Sequence, residues 1–206
     1  MRVAVVGGTG DFGLALAQRL ADAGVEVVIG SRDAARAEEK AREAGAAGGA
    51  ANEDAVRGVD LVVLATKAEA TLSTAEYLVD ALGRTPVLSV ASELRFAKEG
   101  VFPSDDARSI AERTQDLLRG PVVAGLHSLA AHSLAHGPAD GDALVCGDDA
   151  DAKALALELA AKVVSGRALD AGPLASARAL EGLTAVIVNL NKRYKARVGI
   201  RVAGLR

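Results

Sequence analysis

The chain alternates between two patterns of apolar and polar positions. Residues 3–6 (VAVV) form a short, continuous apolar run, as in a strand buried on both faces of a parallel sheet. Residues 11–23 (DFGLALAQRLADA) instead set Leu14, Leu16, Ala17 and Leu20 at helical spacings, and Gly24 stops that helix. Val25 to Ile29 is the next strand, and residues 32–44 (RDAARAEEKAREA) are dense in good helix formers. The same alternation predicts strands over 60–65, 86–90, 121–126, 143–146 and 167–170, and helices over 68–82, 105–118, 150–164 and 174–193. Residues 45–52 (GAAGGAAN) fit either a short strand or a loop, while 91–104 (ASELRFAKEGVFPS) lack a period and read as a long loop near a site. Repeated strand–helix units predict an α/β fold, doubly wound in the Rossmann manner around a mainly parallel sheet. No linker interrupts the pattern, so residues 1–206 are expected to form a single unit. Within it, 1–120 is the dinucleotide-binding part, and 121–206 is a cleft-forming part whose small C-terminal extension supplies the second wall.

Composition narrows the chemistry. Half of the 206 residues are apolar, yet Phe12, Phe96, Phe102, Tyr77 and Tyr194 are the only aromatic ones, so the core must be aliphatic. A net charge of −3 gives no footprint for nucleic acid. The charge is unevenly placed: residues 191–206 hold six of the 24 basic side chains and no acidic one, leaving 18 basic against 27 acidic elsewhere. That tail reads as solvated surface or as a lure for an anionic substrate. Cys146 has no cysteine to pair with, no run is long enough to span a bilayer, and MRVAVVGG is too short for a secretory leader, so a cytoplasmic protein is expected.

The stretch VVGGTGDFG (5–13) carries the first specific chemistry. Gly8-Thr9-Gly10-Asp11-Phe12-Gly13 lies between a predicted strand and a predicted helix, the context that turns a weak glycine pattern into a dinucleotide motif. In that reading Gly8 makes the tight turn, Gly10 lets a pyrophosphate approach the backbone, and Gly13 lets the helix lie on the strand. The amides at the helix start, with the positive end of its dipole, face the phosphates. The second strand then selects the dinucleotide. Where an NAD protein usually places a carboxylate, this chain reads Gly30-Ser31-Arg32, with Arg36 one helical turn on. A hydroxyl and two guanidinium groups suit a 2′-phosphate, which predicts NADP(H). Asp33 is placed to cap the following helix.

Ligands of open α/β sheets bind beyond the carboxyl ends of the strands, which selects Ala65-Thr66-Lys67, Val90-Ala91-Ser92 and Leu126-His127-Ser128. His127 is the best-placed titratable group. It serves either as a satisfied structural residue or as a hydrogen-bond donor to a carbonyl-like group of the substrate. His132 and His136 stand at i, i+4, but no carboxylate or cysteine supports a metal there. Asp148 and Asp149 precede a helix and read as caps, and Cys146 reads as a small buried hydrophobe.

Taken together, the motifs VVGGTGDFG, IGSRDAARAE, LVCGDDADAK, ALDAGPLASAR and LTAVIVNLNKRY resemble those of the NADPH-dependent reductases of the 5-deazaflavin coenzyme F-420, over nearly the whole chain. The resemblance implies hydride transfer between NADP(H) and the coenzyme F-420 by a small subunit that forms homo-oligomers, here expected to be a homodimer. It places Thr9 to Phe12 (Thr9, Gly10, Asp11, Phe12) on the pyrophosphate and Ser31, Arg32 and Arg36 on the 2′-phosphate. It sets the two reacting rings near Ala68, Leu72, Leu94 and Ala131, and His127 matches a histidine of the family's equivalent segment. Where the family usually has a Pro-Trp pair, this chain reads Thr66-Lys67-Ala68-Glu69, and SVASELR replaces a proline-containing apolar sequence after the next strand. Two further readings therefore stay open: an NADPH-dependent reductase of a different acceptor, and a non-catalytic NADP(H)-sensing module.

Overall fold

The computed structural model describes residues 1–205. The chain runs through β1 (Arg2–Val6), α1 (Asp11–Asp22), β2 (Glu26–Ser31), α2 (Ala34–Ala44), β3 (Gly48–Ala51), α3 (Asn52–Ala55), β4 (Leu61–Leu64), α4 (Ala68–Leu82) and β5 (Val87–Ser89). It continues through β6 (Leu94–Ala97), β7 (Gly100–Pro103), α5 (Ile110–Leu117), β8 (Val122–Gly125), α6 (Ala131–His136), β9 (Ala143–Gly147), α7 (Ala150–Val163), β10 (Ala168–Asp170), a 3₁₀ turn (Leu174–Ser176) and α8 (Ala177–Tyr194).

Eight strands form one sheet in the order β10-β9-β8-β5-β4-β1-β2-β3. The strands from β3 to β8 across that sheet pair in parallel; β9 is antiparallel to β8, and β10 returns parallel to β9. The expected doubly wound sheet is therefore present, with its order reversing between β1 and β4. That reversal opens a crevice at the carboxyl ends of the strands. Period-two alternation sorts the core. Val3, Val5, Ile29, Leu61 and Val63 face α1, α2 and α7, whereas Ala4, Val6, Val62 and Leu64 face α4, α5 and α8. Both layers are aliphatic, as the composition required.

Three segments differ from the sequence reading. The ambiguous 45–52 stretch holds the edge strand β3. The segment read as a loop, 91–104, is largely the antiparallel hairpin β6–β7, because Asn189 of α8 acts as a third strand for it. Its side chain accepts from Val101 N at 2.9 Å and donates to Val101 O at 2.7 Å. The helix expected over 105–118 begins only at Ile110, after a capping box formed by Ser109 and Glu112. Asp33 and Asp149 do cap their helices, and Asp148 accepts from Leu174 N at 2.9 Å, so the paired aspartates organise backbone. The C-terminal tail is tied to the far edge of the sheet by buried Asp142, which accepts from Val202 N and from Arg167, both at 2.8 Å.

Candidate active site

At the end of β1 the backbone turns through Gly7, whose φ of +82° lies in the left-handed region and whose added Cβ would come within 2.7 Å of Ala65 O. Gly8 closes the same turn, its N–H donating to Val5 O at 3.2 Å where a Cβ would come within 2.8 Å of that oxygen, so the turn expected at Gly8 takes in Gly7 as well. Gly13 is where helix and strand touch, since a Cβ there would meet Gly7 O at 2.5 Å. Gly10 differs from both. It is the N-cap of α1 with an ordinary φ of −87°, and a Cβ there would find only Gly7 O, at 3.5 Å. The space before Gly10 is therefore open, and no side chain caps α1, so its first amides face outward beside Thr9 and Asp11. This open cradle fits the diphosphate of a dinucleotide.

One strand away, β2 ends at Ser31. Its hydroxyl accepts from Asp33 N at 3.2 Å, and Asp33 in turn accepts from Arg36 N at 3.2 Å. This short relay starts α2 while leaving Arg32 and Arg36 exposed; among the described residues neither guanidinium is bonded to a carboxylate. Beneath them lies Asn52, a residue the sequence reading missed. It is buried, and its Oδ1 has no hydrogen-bond partner among the described residues although it packs against Gly30. A polar side chain following a strand that could not be recognised gave no signal.

On the other side of the α1 start, the ends of β4, β5 and β8 surround a cleft of about 230 Å³. All three strand-end segments chosen from the sequence contribute to it, through Thr66 and Lys67, Ala91 and Ser92, and Leu126 and His127. Ala68 and Leu94 line it, and so does Phe12, which the sequence set on the pyrophosphate. Leu72 lies one turn further along α4 and Ala131 begins α6; neither is among the lining residues. Thr184 of α8 is the second residue missed, a lone hydroxyl in an apolar helix face that only the packing of α8 carries to the cleft.

His127 enters the wall through strain. Leu126 holds φ at +64°, one of two non-glycine residues with positive φ among those described, and this swings the chain out of β8. The imidazole is only 6% exposed, and burial pushes it down to about 4, so it is uncharged at neutral pH. Its Nδ1 lies 3.1 Å from Ser92 Oγ, which is 2.8 Å from Thr184 Oγ1. Cys146, by contrast, is buried away from the cleft with its thiol pushed up to about 12, the inert hydrophobe expected. His132 and His136 stack at 4.1 Å, and no group of three metal-ligating side chains occurs among the described residues.

Fold and site define a dinucleotide-binding oxidoreductase of the Rossmann class. The family described as "NADP oxidoreductase coenzyme F420-dependent" matches residues 2–93. The chain is 35% identical to the F420-dependent NADP reductase of Methanocaldococcus jannaschii, over 100% of this chain and 99% of that protein. It is 37% identical to the F420-dependent NADP reductase of Methanothermobacter thermautotrophicus, over 100% and 96%. A crystal structure described as a putative F420-dependent NADP reductase from Arthrobacter sp. FB24 superposes with a TM-score of 0.81 at 26% identity, covering 99% of each chain. The chain belongs to the F420-dependent NADP reductase family.

Proposed function

We propose that this protein transfers a hydride between NADP(H) and the deazaflavin coenzyme F-420. The observation that carries this reading is the uncapped start of α1. It opens between an unpaired arginine pair on one side and a cleft lined by Phe12, Ala68, Leu94 and His127 on the other. A dinucleotide laid across it has its 2′-phosphate at Ser31, Arg32 and Arg36, its pyrophosphate at Gly8 to Gly13 and its nicotinamide in the cleft. Residues 1–120 thus hold NADP(H), and 121–206 supply the far wall through His127 and Thr184. Leu72 and Ala131, which follow the lining residues Ala68 and Leu129 along the chain, are carried in this reading by the resemblance alone. The two bound rings supply the redox chemistry. The protein's share is to stack them, exclude water and hold uncharged groups around them. No helix among the described residues is long and apolar enough to cross a membrane, and unpaired, buried Cys146 suits a reducing cytoplasm.

A homodimer is part of this reading. Val186 and Leu190 on α8 are 52% and 39% exposed, and Phe96 on the adjoining hairpin is 69% exposed, an apolar surface continuous with the cleft elements. Sedimentation tests it: Leu190→Glu is expected to give a monomer if this surface joins two copies. For the reaction, the test is anaerobic NADPH oxidation followed by the absorbance of purified coenzyme F-420. Failure to reduce it under any condition, with other acceptors reduced, would overturn the acceptor assignment.

A further inference from the structure

We infer that Thr184 and Ser92 are positioning residues that lock His127 in its Nδ1–H tautomer, leaving Nε2 as a hydrogen-bond acceptor for an amide or imide N–H of a ligand in the cleft. The hydroxyl protons decide it. Thr184 has one hydroxyl proton, and it goes to the backbone carbonyl of His127 at 2.9 Å. The 2.8 Å contact between Thr184 Oγ1 and Ser92 Oγ must then be donated by Ser92. Ser92 has no second proton, so its 3.1 Å contact with His127 Nδ1 must be donated by the ring. The chain starts and ends on one residue: His127 Nδ1–H to Ser92, Ser92 to Thr184, Thr184 to the His127 carbonyl. It ties the end of β5, the end of β8 and α8 together around the cleft.

A neutral imidazole with its proton on Nδ1 presents a lone pair at Nε2. That atom is buried, has no partner among the described residues, and belongs to a ring that lines the cleft. A buried acceptor without a donor is costly, and the ligand is what can supply the donor. The sequence expectation that His127 donates to a carbonyl-like group is therefore reversed. The site accepts, and it disfavours a ligand oriented with a carbonyl oxygen at Nε2. On the hydride-transfer reading above, on which the ligand assignment rests, two groups carry such an N–H: the nicotinamide carboxamide and the imide of the deazaflavin pyrimidine. The tautomer itself does not depend on that reading.

The first test reads the tautomer in the ligand-free protein by long-range ¹⁵N–¹H correlation of histidine-labelled material, His127→Phe identifying the signal. The expected result is Nδ1–H with Nε2 unprotonated, moving toward Nε2–H in Ser92→Ala and Thr184→Val and restored in Thr184→Ser. An Nε2–H pattern in the unmodified protein overturns the proposal. The second test titrates 3-acetylpyridine NADP⁺ against NADP⁺, and an N3-methylated deazaflavin against its parent. One analogue is expected to lose roughly tenfold in affinity in the unmodified protein and little in His127→Phe, which identifies the donor. Equal losses in both proteins, or none in either, overturn the acceptor role. Retained Nδ1–H with no hydride transfer would instead count against the functional reading alone.

Discussion

The two ends of the site are built on different principles. In the proposed reading the phosphate end, from β1 to the start of α2, is made of nearby backbone and side chains: a glycine turn, an uncapped helix start, half-buried Ser31 and exposed Arg32 and Arg36, all within residues 7–36. The ring end of that reading is lined from α1, α4, the loops after β4, β5 and β8, the β6–β7 hairpin and α8, which meet nowhere in the sequence. Charge on phosphate can be met by amides and flexible guanidinium groups with loose geometry. A redox ring pair needs walls fixed from several directions. The first end is therefore local and readable, and the second is a product of packing.

The largest effect is expected at the phosphate end. Gly10→Val should fold, because its Cβ has only Gly7 O at 3.5 Å, yet fill the space a pyrophosphate needs. NADPH affinity should fall by at least about a hundredfold, the loss of two charge-assisted hydrogen bonds, with the unfolding midpoint little changed. Gly13→Val should do the reverse and fail to fold stably, its Cβ being 2.5 Å from Gly7 O. Normal NADPH titration of folded Gly10→Val would remove the cradle from this end of the molecule.

Arg32→Ala should weaken NADPH about tenfold or more and NADH hardly at all, since a charge-assisted phosphate contact is worth roughly 1.5–3 kcal/mol. Equal affinities of the unmodified protein for the two cofactors would break the contrast.

Behind the ring end, Glu181 of α8 accepts from Ile110 N and Ala111 N at 3.1 and 3.2 Å, capping α5 from another helix. Burial raises its carboxyl from 4.5 to about 7, outweighing those two bonds. A raised acid pKa binds an extra proton in the folded state, so its contribution is full below pH 4.5 and lost as pH rises through 7. Stability should therefore drop by roughly 2 kcal/mol between pH 5 and pH 8 on this account, and Glu181→Gln should flatten the drop. Urea titrations at both pH values check it; an unchanged slope in the variant would assign the dependence to other groups.

The smallest effect concerns steering. Lys192 stands 5.9 Å from the Phe96 ring on the hairpin whose Leu94 lines the cleft, so part of the basic tail adjoins the ring end, while Arg201 is engaged by Asp140. Neutralising Lys192, Arg193 and Lys195 together should flatten the salt dependence of coenzyme F-420 affinity by a few-fold and leave NADPH nearly untouched, since exposed charges are screened over about 8–10 Å. An unchanged salt dependence of coenzyme F-420 binding in the triple variant would leave the basic tail as ordinary solvated surface.

By itself, the sequence determined the doubly wound sheet, the aliphatic core, the glycine turn and the arginine pair, because each is written in neighbouring residues: a period of two or 3.6, a glycine where backbone must pass, a charge where a carboxylate would stand. Only the tertiary structure decided the rest. β3 (GGAA) has no strand-forming side chains because Gly49 lies against the backbone of Ala37 in α2, too close for any Cβ. The β6–β7 hairpin takes its order from Asn189, some 88 residues away along the chain. Thr184 reached the cleft, and the acceptor role we infer for His127 replaced the expected donor, because a hydroxyl has one proton to give and the fold dictates where it goes.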